Sequence, residues 1–123
     1  MDDRERGREL LDEIAPGLLA RADVAKARMF GSDGLSVRGK FFAFTSSRGD
    51  LVVKLDGERI EELGLDNMVM RGRPMREWAV VPLAEGPDRW RAVAEEGFAF
   101  VDSITPGGGG GATSGGGTEP GAG

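Results

Sequence analysis

Side chains able to work as acids, bases or nucleophiles near neutral pH are scarce in this sequence. It contains no Cys, no His and no Tyr. Their absence excludes Cys/His zinc sites, thiol nucleophiles, disulfides, c-type haem attachment and a Ser-His-Asp triad. No remaining side chain has an ordinary pKa near 7. Acid–base work would fall to carboxylates or to Lys26, Lys40 and Lys54. The adjacent pairs Glu61-Glu62 and Glu95-Glu96 are poor for metal or acid–base chemistry, because neighbouring helix residues do not face each other. They read as solvated helix surface. Ser46 and Ser47 lack a histidine to activate them, leaving only a lysine base. Gly31-Ser32-Asp33-Gly34 lacks the Gly-Lys-Ser/Thr of a phosphate loop and precedes a strand. No catalytic, metal or cofactor site is expected.

The sharpest local pattern is Arg71-Gly72-Arg73-Pro74, which resembles the core by which AT-hook peptides lie in the minor groove of DNA. Glycine permits close approach, and the flanking arginines enter a narrow groove of enhanced negative potential. The surroundings favour this only weakly, since the chain has a net charge of -5 and a pI near 4.8. Residues 24–82 are its basic part, with ten basic and eight acidic side chains. A nucleic-acid surface would draw on Arg71, Arg73 and Arg76, with Arg28 and Lys40 as further contributors. The excess is small for phosphate binding, where each neutralised phosphate adds to affinity and salt dependence. A turn on a mixed-charge sheet face is the plainer account.

These residues must be positioned by a body of about 104 residues, enough for one core. Ten of the 21 glycines fall in the last 17 positions, and that stretch holds no large apolar residue. Residues 105–123 therefore read as a disordered Gly-rich tail and residues 1–104 as one domain. Residues 3–15 have helical period, with a break expected at Pro16. The period then shortens. Three strands joined by tight turns are expected up to Leu55, with turns at Gly31–Gly34, at Arg38-Gly39-Lys40 and at Ser46–Asp50. Asp56 reads as the N-cap and Gly64 as the terminator of a short helix. Met68–Met70 and Glu77–Val81 pair around Arg71-Gly72-Arg73-Pro74. Pro87 and Asp88 open a last helix whose apolar face includes Trp90, Val93, Ala94, Gly97, Phe98, Phe100 and Val101. The expected fold is α+β: a two-layer sandwich of order α-β-β-β-α-β-β-α, with a mainly antiparallel sheet and the helices on one face.

Arg28-Met29-Phe30-Gly31, then Gly34-Leu35 and Gly39-Lys40-Phe41-Phe42-Ala43, resemble the hairpins of the TfoX/Sxy family N-terminal domain. Val53-Lys54-Leu55 and the run Gly72 to Pro82 are similar to the second half of that domain, so the resemblance spans about residues 4–103. It implies the topology above and a non-catalytic regulatory role; the competence regulators of that family carry a further C-terminal domain. Met29, Phe30, Phe42, Phe44 and Trp78 read as core residues of the sheet. Gly31, Gly34 and Gly39 read as turn residues of positive φ. The charged start and short apolar runs give neither a secretory signal nor a membrane span, so a soluble cytoplasmic protein is expected. The function expected is an interaction module that binds an unidentified protein partner or a second copy of itself. The Met68/Met70 strand or another sheet edge would be the contact. Nucleic-acid binding through the arginine turn is the alternative.

Overall fold

The computed structural model describes residues 2–29 and 32–105. The Gly-rich tail beyond Thr105, residues Phe30 and Gly31, and the core role expected of the Met29 side chain lie outside that description.

The first helix, α1, spans Asp3–Leu19. Asp2 caps it by accepting a hydrogen bond from the Glu5 backbone N–H at 2.9 Å, and Asp3 and Glu5 favour the positive end of the helix dipole. The break expected at Pro16 does not occur: the helix runs on to Leu19. Pro16 is exposed while Leu11, Ile14, Ala15 and Leu18 are buried. The missing N–H and the ring therefore face solvent, and Leu18 packing offsets the proline's intrinsic helix penalty.

Four strands rather than three follow: β1 (Val24–Met29), β2 (Ser32–Val37), β3 (Lys40–Thr45) and β4 (Leu51–Lys54). Of the turn expected at Gly31–Gly34, the three described residues Ser32 to Gly34 instead pair with β1, and Gly34 also with β3. Gly34 lacks the expected positive φ. A Cβ there would meet the Ala43 carbonyl oxygen at 2.9 Å, so it serves close strand approach. Gly39 does have positive φ, 83°, beside Arg38 at 49°. That pair forms the two-residue turn that matches strand twist.

The short helix α2 (Gly57–Leu63) ends at Gly64 with φ 72°, as expected. Asp56 occupies the N-cap position, yet its side chain makes no capping bond. After it come β5 (Asp66–Met70), β6 (Arg73–Val81), a short 3₁₀ turn, and α3 (Gly86–Ile104).

The six strands form one antiparallel sheet in the order β1-β2-β3-β4-β6-β5. The α+β class thus holds, with the element order α-β-β-β-β-α-β-β-α. One core joins Leu11, Ile14 and Leu18 of α1, Ile60 of α2 and Trp90, Val93 and Val101 of α3 to Leu35, Phe42, Val53 and Ala79 of the sheet. Full burial of each large apolar side chain contributes about 1.5–3 kcal/mol. Trp90 also donates its indole N–H to the Pro82 carbonyl at 3.0 Å. No helix among the described residues is long and apolar enough to cross a membrane.

Candidate interaction surface

Arg71 and Gly72 are the two loop residues of the β5–β6 hairpin. Both have positive φ, 55° and 77°. Met70 pairs with Arg73, and Val69 with Pro74. The arginine-rich pattern is thus a tight hairpin turn, and only its first two residues lie outside strands. This hairpin outreaches its neighbour. The last pair between β4 and β6 is Lys54 with Trp78, so residues 68–75 project past the end of β4 as a two-stranded arm.

The arm is set off by an irregularity. Between the pairs Asn67–Ala79 and Met68–Met75, the residues Arg76, Glu77 and Trp78 of β6 have no counterpart on β5. The Asn67 amide fastens this bulge by donating to the carbonyls of Met75 (3.1 Å) and Arg76 (3.0 Å). On the other side, Leu55 N–H donates to the Glu77 carbonyl at 2.9 Å. A bulge bends the strand and increases local twist, which re-aims the hairpin tip.

Beside the bulge, the start of α2 and residues 74–78 wall a shallow open groove of about 1000 Å³. Asp56, Glu58, Glu61 and Glu77 line it against Lys54 and Arg76. Trp78 is half-buried there rather than in the core. Its ring stands edge-on to Phe44 at 5.4 Å, and the Lys54 ammonium lies 5.2 Å from the Trp78 ring centroid. Lys54 is also held by Glu77 at 3.2 Å. The indole face is therefore already engaged, and the acidic lining opposes anions.

The arm itself is apolar and cationic. Val69 is 59% exposed, Pro74 is exposed, and Met68, Met70 and Met75 are half-buried. Arg71, Arg73 and Arg76 are exposed and form no ion pair among the described residues. The structure brings these three together but leaves the other two candidates apart. Arg28 lies on β1, the opposite edge of the sheet, and Lys40 opens β3 beside the Arg38-Gly39 turn. A single five-residue basic face is not formed.

Three of the four paired carboxylates are held by arginines, while Glu61 is exposed on the groove. Glu95 binds Arg21. Glu96 accepts both Nε–H (2.7 Å) and Nη2–H (2.9 Å) of Arg59, which also reaches Glu62 at 3.1 Å. The hydrogen bonds from Arg59 hold the Glu96 carboxyl below its ordinary range, with burial acting against them. Of these, Glu96 ties α3 to α2, Glu95 ties α3 to the connection between α1 and β1, and Glu62 pairs within α2. Ser46 is likewise structural: its hydroxyl accepts from the backbone N–H of Arg48 and of Asp50, each at 3.2 Å.

The arm's Val69 and the bulge at residues 76–78 were not singled out by the sequence pattern. No local sequence signal marks that bulge, since it depends on Asn67 reaching the carbonyls of Met75 and Arg76 across the hairpin. No family model matches the chain, and no curated protein matches it.

Proposed function

We propose that this chain is a non-catalytic regulatory interaction module of the TfoX N-terminal type, which binds a protein partner through the β5–β6 arm. The observation that carries this reading is the arm itself. It projects beyond β4, exposes Val69 and Pro74, and surrounds them with three methionines. Methionine side chains are pliable and suit a surface that adapts to another protein. Engagement of Glu62, Glu95 and Glu96 in ion pairs with arginines supports a structural role for those three carboxylates.

Affinity capture tests it with three baits: parent protein, Val69→Lys, and Arg71→Ala/Arg73→Ala. Proteins that bind the apolar arm are retained by the double arginine variant and lost from Val69→Lys. Equal recovery with all three baits removes the arm from the reading.

Arg71, Arg73 and Arg76, exposed and without an ion pair among the described residues, favour a second reading, nucleic-acid binding by the hairpin tip. It predicts anisotropy changes with duplex DNA that weaken steeply with salt and are largely lost in Arg71→Ala/Arg73→Ala. Undiminished binding by that variant excludes the tip.

A further inference from the structure

The sheet has two outer strands, and they are guarded differently. β1 carries Lys26 and Arg28, exposed charges of the kind that keep an edge from pairing with another strand. β5 reads Asp66-Asn67-Met68-Val69-Met70 and holds no cation within the strand. In a two-residue hairpin the residues flanking the loop, here Met70 and Arg73, exchange backbone hydrogen bonds, so the next pair out turns its N–H and C=O groups away. That next pair is Val69–Pro74. Pro74 has no N–H, in keeping with an outward-facing position on β6, and the Val69 N–H and C=O face the open edge of β5.

The charges along β5 and its turn are self-complementary. Exposed Asp66 stands at one end, exposed Arg71 follows the other, and the residues between are uncharged. If two copies of β5 pair antiparallel about Met68, Asp66 of each copy comes to the Met70–Arg71 end of the other. Val69 then pairs with Asn67 of the second copy, which flanks the exposed Val69 side chain along the seam. In this register Asp66 stands opposite Met70, one residue from Arg71, so each end of the seam brings a carboxylate toward the other copy's guanidinium, whereas a parallel alignment would juxtapose like charges. A two-fold axis through a strand edge also gives a closed dimer rather than a fibre.

We propose that the arm's partner is a second copy of this chain, joined edge to edge through β5 to make a continuous twelve-stranded sheet. This rests on the reading of the arm as a protein-binding element and specifies its occupant.

The experiment is sedimentation equilibrium of the full chain over a wide concentration range, with four variants. Val69→Pro removes an outward N–H, exchanges the valine side chain for another apolar one, and leaves the bonds to β6 in place. It is expected to raise the dimer dissociation constant by about tenfold or more, with far-UV circular dichroism unchanged. Asp66→Arg and Arg71→Asp alone are each expected to weaken the dimer, and the double reversal to restore it. That rescue keeps the proposal testable if Val69→Pro folds poorly. A parent protein that stays monomeric, a dimer indifferent to Val69→Pro, or a failure of the double reversal to rescue overturns the proposal. A monomer that still captures another protein through Val69 overturns self-pairing and leaves the protein-binding reading standing. A monomer whose arm captures nothing, or binds only DNA, overturns both.

Discussion

At Gly7 of α1 an added Cβ would run into the backbone of Gly49, whereas at Gly17 of the same helix it would meet nothing within 4 Å. Gly7 is buried and lets the helix lie directly on the turn between β3 and β4, where Gly49 has φ 83°. Neither obstacle is a flexible side chain that could swing aside. Gly7→Ala is therefore expected to cost about 1–3 kcal/mol through overpacking. Gly17 is exposed, and its φ lies outside the positive range. There alanine should add about 0.5–1 kcal/mol by lowering the entropy lost on folding. Urea unfolding of the two variants measures both signs. A neutral or stabilising Gly7→Ala would show that the approach of α1 to the turn is not tight, and a destabilising Gly17→Ala would show that the exposed site does not follow helix propensity. Gly97 of α3 shows the same constraint, since its Cβ would strike the Val53 side chain of β4.

Elements are joined by Arg38, which sits in the β2–β3 turn and reaches the end of α3. Its guanidinium donates to the carbonyls of Asp102 (3.1 Å) and Thr105 (3.0 Å), and pairs with the carboxylates of Asp102 (2.8 Å) and Asp23 (3.5 Å). The side chain is only 14% exposed. Removing it leaves carbonyls at the helix C-terminus without their donor, so Arg38→Ala is expected to cost about 1.5–3 kcal/mol. Arg38→Lys should recover only part, because an ammonium cannot reproduce the planar fork. Thermal melts and amide exchange at Asp102–Thr105 check this; full rescue by lysine would mean that charge alone matters. Arg38 also marks how far local pattern reaches. The Arg38-Gly39 turn was legible because glycine past a strand is a local signal. The arginine's task was hidden because its partner lies 64 residues away. The face of α3 was legible from its own period, while the continuation of α1 through Pro16 depended on the burial of Leu18 in the core. At the arm, the Arg71-Gly72 turn could be read locally. The bulge could not, because it exists only once Asn67 meets the carbonyls of Met75 and Arg76.

For the molecule as a whole, pH dependence follows from which groups are absent as much as from those present. With no His, Cys or Tyr, no side chain has an ordinary titration between the carboxylates and lysine. Stability is expected to be flat from about pH 6 to 9. Acid is different, because Arg59 ties α2 to α3 through Glu96 and holds that carboxyl below its ordinary value of 4.5. A depressed carboxyl binds protons less readily in the folded chain than in the unfolded one. Its stabilisation is complete above the ordinary glutamate value, shrinks as pH falls below it, and is gone once the folded carboxyl itself is protonated. Glu96 is 36% exposed, so solvent screening limits the contribution to under about 1 kcal/mol. Glu96→Gln should accordingly be less stable than the parent at pH 7, with the two stability curves converging as pH drops through the carboxylate range. High salt at pH 7 should narrow the same gap by screening the pair. If the curves stay parallel from pH 7 to acid, the Arg59–Glu96 link does not carry the acid response. That response would then belong to other groups of the chain.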